Sequence, residues 1–189
     1  MEIINKIEYL SQRDARWATT LMGGGNLTVG RYGCTTTCIS MLTDYFKCKQ
    51  SPKEIALNKN NYIKNDSNIN WMTLDFPTFS FRWREGSYFS ETPLDMEMIK
   101  SYMVKGTQGN PDRAVLLEVD NHSHWLLGLW PIGDDILAVD PWTKKTCEVL
   151  KEYKNITGAA LFVRWDKTKN GGKQAWQGAK KPEADNNFD

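Results

Sequence analysis

The chain has 189 residues, 40% of them hydrophobic and 25% charged, a length and balance that suit one globular domain with a sizeable core. Its 24 Lys and Arg against 23 Asp and Glu leave a formal charge of +1, so nothing points to the uncompensated basic surface that nucleic acid requires. No apolar run approaches the ~20 residues of a membrane helix, so no membrane insertion is expected. The stretch from Met1 to Leu10 carries Glu2, Lys6 and Glu8 and lacks the apolar centre of a signal peptide. Synthesis in a cytoplasm is expected, with any role outside the cell reached by another route. Cys34, Cys38, Cys48 and Cys147 are expected as free thiols, because Cys34 and Cys38 lie one helical turn apart with parallel side chains. Nothing in the sequence calls for a cofactor.

Residues 11–33 read as an extended, turn-rich segment, with a loop at Gly23, Gly24 and Gly25 and further breaks at Gly30 and Gly33. From Cys34 to about Lys47, Cys38, Leu42 (or Met41) and Tyr45 recur at three-to-four spacing, which predicts a helix with one buried stripe. Ser51, Pro52 and Glu54 spell a capping box with proline at the first helical position, opening a second helix. A third helix is expected over Asp95 to Lys105, ended by Gly106. The period then changes to two. Strands are predicted at Ala114–Val119, His124–Trp130, Ile136–Val139, Thr146–Leu150 and Ala159–Arg164. Helices followed by an antiparallel sheet make an α+β domain over residues 1–165. Residues 166–189, polar apart from Trp176 and a few others, read as a disordered tail or linker.

Cys34 follows Gly33 at the start of the first long helix. Unpaired N–H groups and a partial positive charge at a helix N-terminus favour a thiolate, the nucleophilic form of cysteine. Gly33 would leave room for a substrate backbone beside the sulfur. Read alone, Cys34 is equally a small buried hydrophobe. A base must come from His122 or His124, the only two histidines, in the run NHSHW. A three-residue turn at Pro131-Ile132-Gly133 would set Trp130 opposite Asp134 and His124 opposite Asp140, within reach of an imidazole–carboxylate hydrogen bond at an open strand end. In that register His122 has no carboxylate opposite and stays a reserve candidate. Two other readings remain: Cys34, Cys38, His122 and His124 as zinc ligands, although a four-residue Cys spacing inside a helix suits structural zinc poorly, or a chance surface histidine near an acid.

The run from Tyr9 to Phe46, with Gln12, Asp14, Trp17, Gly33 and Cys34, resembles the opening of bacteriocin-processing, double-glycine-type peptidases and their stand-alone relatives. His124-Trp125 and Asp140-Pro141 resemble the second half of the same pattern, as does the stretch SPKEIALNKNNYI leading to Trp71. The likeness covers residues 9–164. It implies a papain-like fold, a Cys34–His124–Asp140 triad, and an oxyanion hole made by the Gln12 amide and the Cys34 backbone N–H. Gln12 on its own would read as an exposed loop residue. Thr35 and Thr36 depart from the smaller residues or proline usual after the cysteine. No transporter region is attached, so the leader-peptide substrate of that group is not implied. The expected partner is a peptide or protein, with a bacterial or phage cell-wall peptide one candidate. A silent papain-like binding, inhibitor or virion module and an amidase or transamidase are the competing functions.

Overall fold

A computed structural model describes residues 7–86, 94–107 and 112–165 and arranges them as helices against one six-stranded antiparallel sheet. The order in the chain is α1 (Val29–Tyr32), α2 (Cys34–Tyr45), α3 (Pro52–Leu57), β1 (Phe79–Glu85), α4 (Met96–Thr107), β2 (Arg113–Val119), β3 (His124–Ile132), β4 (Asp135–Asp140), β5 (Lys145–Glu148), α5 (Val149–Tyr153) and β6 (Ile156–Arg164). In space the strands run β1-β6-β2-β3-β4-β5. Alternate strand residues face opposite sides. Trp125, Leu127, Leu129 and Val139 pack with α2, while Leu126, Ile136 and Ala138 pack with α4. The α+β order expected from the sequence is therefore present, with the helices divided between the two faces. No helix among the described residues is long and apolar enough to cross a membrane. The expected tail at 166–189 lies outside the described residues.

Helix α2 is the central element, and its burial exceeds the single stripe read from its period. Ten of its twelve residues are buried, all but Thr35 and Asp44. Hydrogen bonds from three of its hydroxyls make this tolerable. Ser40 donates to Gln50 O (2.6 Å), Thr43 donates to Ser40 O (2.7 Å), and Thr36 shares a hydrogen bond with Tyr62 (2.9 Å). Gly33, between α1 and α2, has an unremarkable φ of −90°. A Cβ there would sit 2.6 Å from the Val29 carbonyl oxygen, so the glycine serves the tight approach of α1 to α2. That space is already filled by the chain itself, which corrects the expectation that Gly33 leaves room for substrate.

The second helix forms as its capping box predicts: Ser51 accepts from Glu54 N (3.2 Å) and Glu54 accepts from Ser51 N (2.7 Å). The third helix continues through Gly106 to Thr107 and does not end at that glycine. β1 is a strand beyond those predicted, although Phe79, Phe81 and Trp83 alternate with polar residues in the period of two. The fourth predicted strand is shorter than expected: β5 stops at Glu148 and α5 begins at Val149. The reason is a cap supplied from elsewhere in the chain. Asp135, at the start of β4, accepts from the backbone N–H groups of Leu150 (2.7 Å) and Lys151 (3.2 Å). These first-turn donors would otherwise be orphaned.

The β3–β4 hairpin also differs from its predicted register. Ile132 pairs with Asp135, so the turn holds two residues, Gly133 and Asp134, with Gly133 at φ +55°. Such a turn alone would put His124 and Asp140 on opposite faces. A bulge at Leu129, between the pairs Gly128–Ala138 and Trp130–Leu137, shifts the register by one and restores the match. With Leu127 opposite Val139, Asp140 comes opposite Leu126, one diagonal step from His124.

Asp135→Ala removes the remote cap of α5 and should destabilise the protein by about 1–2 kcal/mol. Urea unfolding checks this; an unchanged midpoint would show that α5 needs no such cap.

Candidate active site

The start of α2, the start of β3, the end of β4 and the N-terminal segment meet in one open cleft of about 320 Å³ lined by Gln12, Arg31, Tyr32, Cys34, Asp120, Ser123, His124, Trp142 and Tyr153. Cys34 is buried, at 7% exposure, on the first turn of α2. That turn has no acidic residue, and Gly33 at its N-cap offers no side chain. Its N–H groups are therefore left to serve a negative charge.

His124 reaches Asp140 through Nε2, at 2.8 Å from Oδ1. The other ring nitrogen, Nδ1, is the one left for the Cys34 thiol, which adjoins the same imidazole. Burial alone would push this histidine down. The hydrogen bond to Asp140 and the neighbouring Cys34 sulfur outweigh burial and hold it up at about 9.

Asp140 is 3% exposed, not at an open strand end. Its carboxylate is surrounded by donors: His124, the Trp142 backbone N–H to Oδ1 (2.8 Å), the Thr143 hydroxyl to Oδ2 (3.0 Å) and the Tyr153 hydroxyl to Oδ2 (3.2 Å). Burial pushes this acid up, yet these donors, with His124 foremost, keep it below the ordinary carboxylate range.

Gln12 is buried, at 1% exposure, and not the exposed loop residue its position suggests by itself. Its backbone N–H donates to Pro141 O (2.8 Å), which ties the N-terminal segment to the residue after Asp140. Its side-chain Nε2 donates to Gly30 O over a long 3.4 Å, and Oε1 is buried without a partner among the described residues. Trp17 fixes the same segment through Nε1 to Ser11 O (2.8 Å), and Asp14 spends its carboxylate on the backbone and side chain of Arg16 (both 3.0 Å).

His122 lies away from this arrangement. It does have a carboxylate partner, contrary to the predicted register: Nδ1 is 2.8 Å from Oε2 of Glu118, which also pairs with Arg84 (2.8 Å). Asp120, Asn121 and His122 all take positive φ, 52°, 52° and 66°, so the chain turns sharply before β3 begins at His124. Cys38 is fully buried with its thiol on Trp125 O (3.4 Å). Cys34, Cys38, His122 and His124 thus do not converge, and no group of three or more His, Cys, Asp or Glu among the described residues could hold a metal ion.

Thr143 and Tyr153 were not foreseen from the sequence. The local run Asp140-Pro141-Trp142-Thr143 carries a signal for the Trp142 contact, since an aspartate commonly bonds to the backbone two residues on in such turns, and Thr143 follows in the same turn. Tyr153 has no local signal, because it arrives on α5, thirteen residues from Asp140.

The chain matches no family model and no curated protein.

Two measurements follow from these environments. Burial pushes the Cys38 and Cys48 thiols up, and Cys147 to about 12. Iodoacetamide at neutral pH should therefore modify Cys34 well ahead of these three, as read by peptide mapping. Equal labelling of all four would remove the distinction. The second concerns His124, whose folded-state value lies above the ordinary 6.5. Its contribution to stability is fully present below about pH 6.5 and is lost as the pH rises through about 9. An NMR titration should show this imidazole losing its proton near pH 9, and earlier in Asp140→Asn; a midpoint near 6.5 in the wild type would contradict it.

Proposed function

We propose that this chain is a papain-like cysteine peptidase or amide hydrolase of the double-glycine-peptidase type. Cys34 is the nucleophile, His124 the general base and acid, Asp140 the orienting residue, and the Gln12 amide with the Cys34 backbone N–H the oxyanion hole. The observation that carries this reading is a thiol at an uncapped helix start that lines the same cleft as an imidazole bonded to a buried carboxylate. Nucleophilic catalysis by cysteine calls for these elements in this order: thiol, base, and a third group that holds the base.

In the proposed reaction Nδ1 of His124 holds the proton of the Cys34 thiol, and the thiolate attacks the substrate carbonyl carbon. Negative charge builds on the carbonyl oxygen, where the Cys34 N–H and the second hydrogen of the Gln12 Nε2 amide are the candidate donors. Collapse of the tetrahedral intermediate breaks the C–N bond. The imidazolium gives its proton to the departing amine, leaving a thioester on Cys34. Water, deprotonated by His124, then attacks the thioester and releases the acid and the thiol. Throughout, Asp140 keeps Nε2 protonated and the ring in one orientation. The raised basicity of His124 suits a group that must carry a proton between two steps.

A cell-wall peptide stays among the candidate substrates. The readings as a silent module or a zinc protein have no observation in their favour.

The test is hydrolysis of a peptide mixture, read by mass spectrometry, with wild type beside five variants. Cys34→Ala and His124→Ala should abolish cleavage, and His122→Ala should keep most of it. Gln12→Ala should lower turnover by about 10²–10³. Asp140→Asn should lower it by about 10–10³, since the amide no longer favours the imidazolium. It should also lower the melting temperature, because four donors converge on this buried carboxylate. A wild type that cleaves nothing while Cys34 still reacts with iodoacetamide would point to a binding module instead.

A further inference from the structure

Two arginines stand at the rim of this cleft, each laid over an aromatic ring. The Arg31 guanidinium carbon lies 5.2 Å from the centre of the Tyr32 ring, and that of Arg13 lies 4.8 Å from the Trp142 ring. Both aromatic residues line the cleft and are unusually open for their type, Tyr32 at 46% and Trp142 at 43% exposure. Neither arginine forms an ion pair with a carboxylate of the described residues, in contrast to Arg16, which is paired with Asp14 (2.8 Å), and Arg84, paired with Glu118 (2.8 Å). Arg31 itself lines the cleft, and so does one acid, Asp120. Asp120 is held in its left-handed turn, where its Oδ2 accepts from the Ser123 hydroxyl (2.8 Å).

Stacking on an aromatic face orients a guanidinium and leaves its edge N–H groups free. Those edge donors match a carboxylate in a bidentate fork. An arginine pinned to an open ring beside a nucleophile, with no acid of its own, is thus prepared for an anion brought by the substrate. Asp120, in the same cleft, opposes an anion placed near it, so the site has a direction.

We infer that the cleft recognises a substrate carboxylate next to the scissile bond, bound by Arg31 with Arg13 adding to the field, whereas Asp120 disfavours it. The substrate class is a peptide with an acidic residue or a free C-terminal carboxylate beside the bond cleaved. This rests on Cys34 being the reactive thiol of the proposed peptidase.

The test uses two small alkylating probes that differ only in charge. Iodoacetate carries a carboxylate and iodoacetamide does not, and both are attacked by the thiolate with loss of iodide. The quantity is the ratio of their second-order rate constants at Cys34, measured at pH 7 by mass spectrometry of the Cys34 peptide. Arg31→Gln should lower the iodoacetate-to-iodoacetamide ratio by about 1.5- to fivefold, the range for a single charge at a partly exposed site. Asp120→Asn, which keeps a side chain that tolerates the left-handed turn, should raise it. The wild-type ratio should fall as salt is increased. A ratio that does not change in Arg31→Gln overturns the carboxylate assignment. A wild-type Cys34 that reacts with neither probe overturns the nucleophile itself, and with it the proposed function, so the two failures are distinct.

Discussion

A buried carboxylate must have its lone pairs satisfied or it forces the structure apart, and Asp140 is satisfied by four donors from three parts of the chain. His124 comes from β3, the Trp142 amide and Thr143 from the turn after β4, and Tyr153 from α5. Burial of the acid opposes its charge, while these hydrogen bonds restore it. The charge in turn holds the proton on His124 and fixes which ring nitrogen is free. Position of the imidazole, protonation of the imidazole and docking of α5 are thus consequences of one group. Tyr153 closes over the pair, its ring 5.8 Å from that of His124, so that water has limited access to the carboxylate.

The thiol is positioned by packing of a different kind. Helix α2 runs under β3 and is buried on almost every side, so its first residue cannot drift. Cys38 in the next turn fastens it to the backbone of Trp125, the neighbour of His124. Met22, Ala56 and the strand face fill the rest of this layer. The absence of a Cβ at Gly33 lets α1 close against the start of α2, and α1 carries Arg31 and Tyr32 to the rim of the cleft. The core that secures the helix and the surface that surrounds the sulfur are joined through that one glycine.

The hairpin shows how two departures from regular geometry combine. A two-residue turn puts His124 and Asp140 out of phase, and the bulge at Leu129 puts them back. Bulges also add twist, which turns the strand ends toward each other. At the other end of β3, three successive left-handed residues bring the chain round from β2, with His122 held on Glu118 and Ser123 on Asp120. His124 is the first residue of β3 to enter the regular ladder, so its backbone is fixed at the end of an interior strand.

Much of this was written in local sequence. The capping box at Ser51, the period-two runs of β2, β3, β4 and β6, and a helix opening at Cys34 are short-range effects, decided within a few residues by hydrogen bonding and side-chain alternation. With two histidines in the chain, the pairing of His124 with Asp140 could also be anticipated, although the register assumed for it was wrong. What tertiary structure alone decided are the effects that join distant segments. Asp135 caps a helix fifteen residues away, and so converts the end of a predicted strand into α5 and delivers Tyr153. Gln12 becomes a buried residue only because its backbone meets Pro141 across the fold. Local propensity carries no information about such contacts, because their energy depends on where the rest of the chain has already packed.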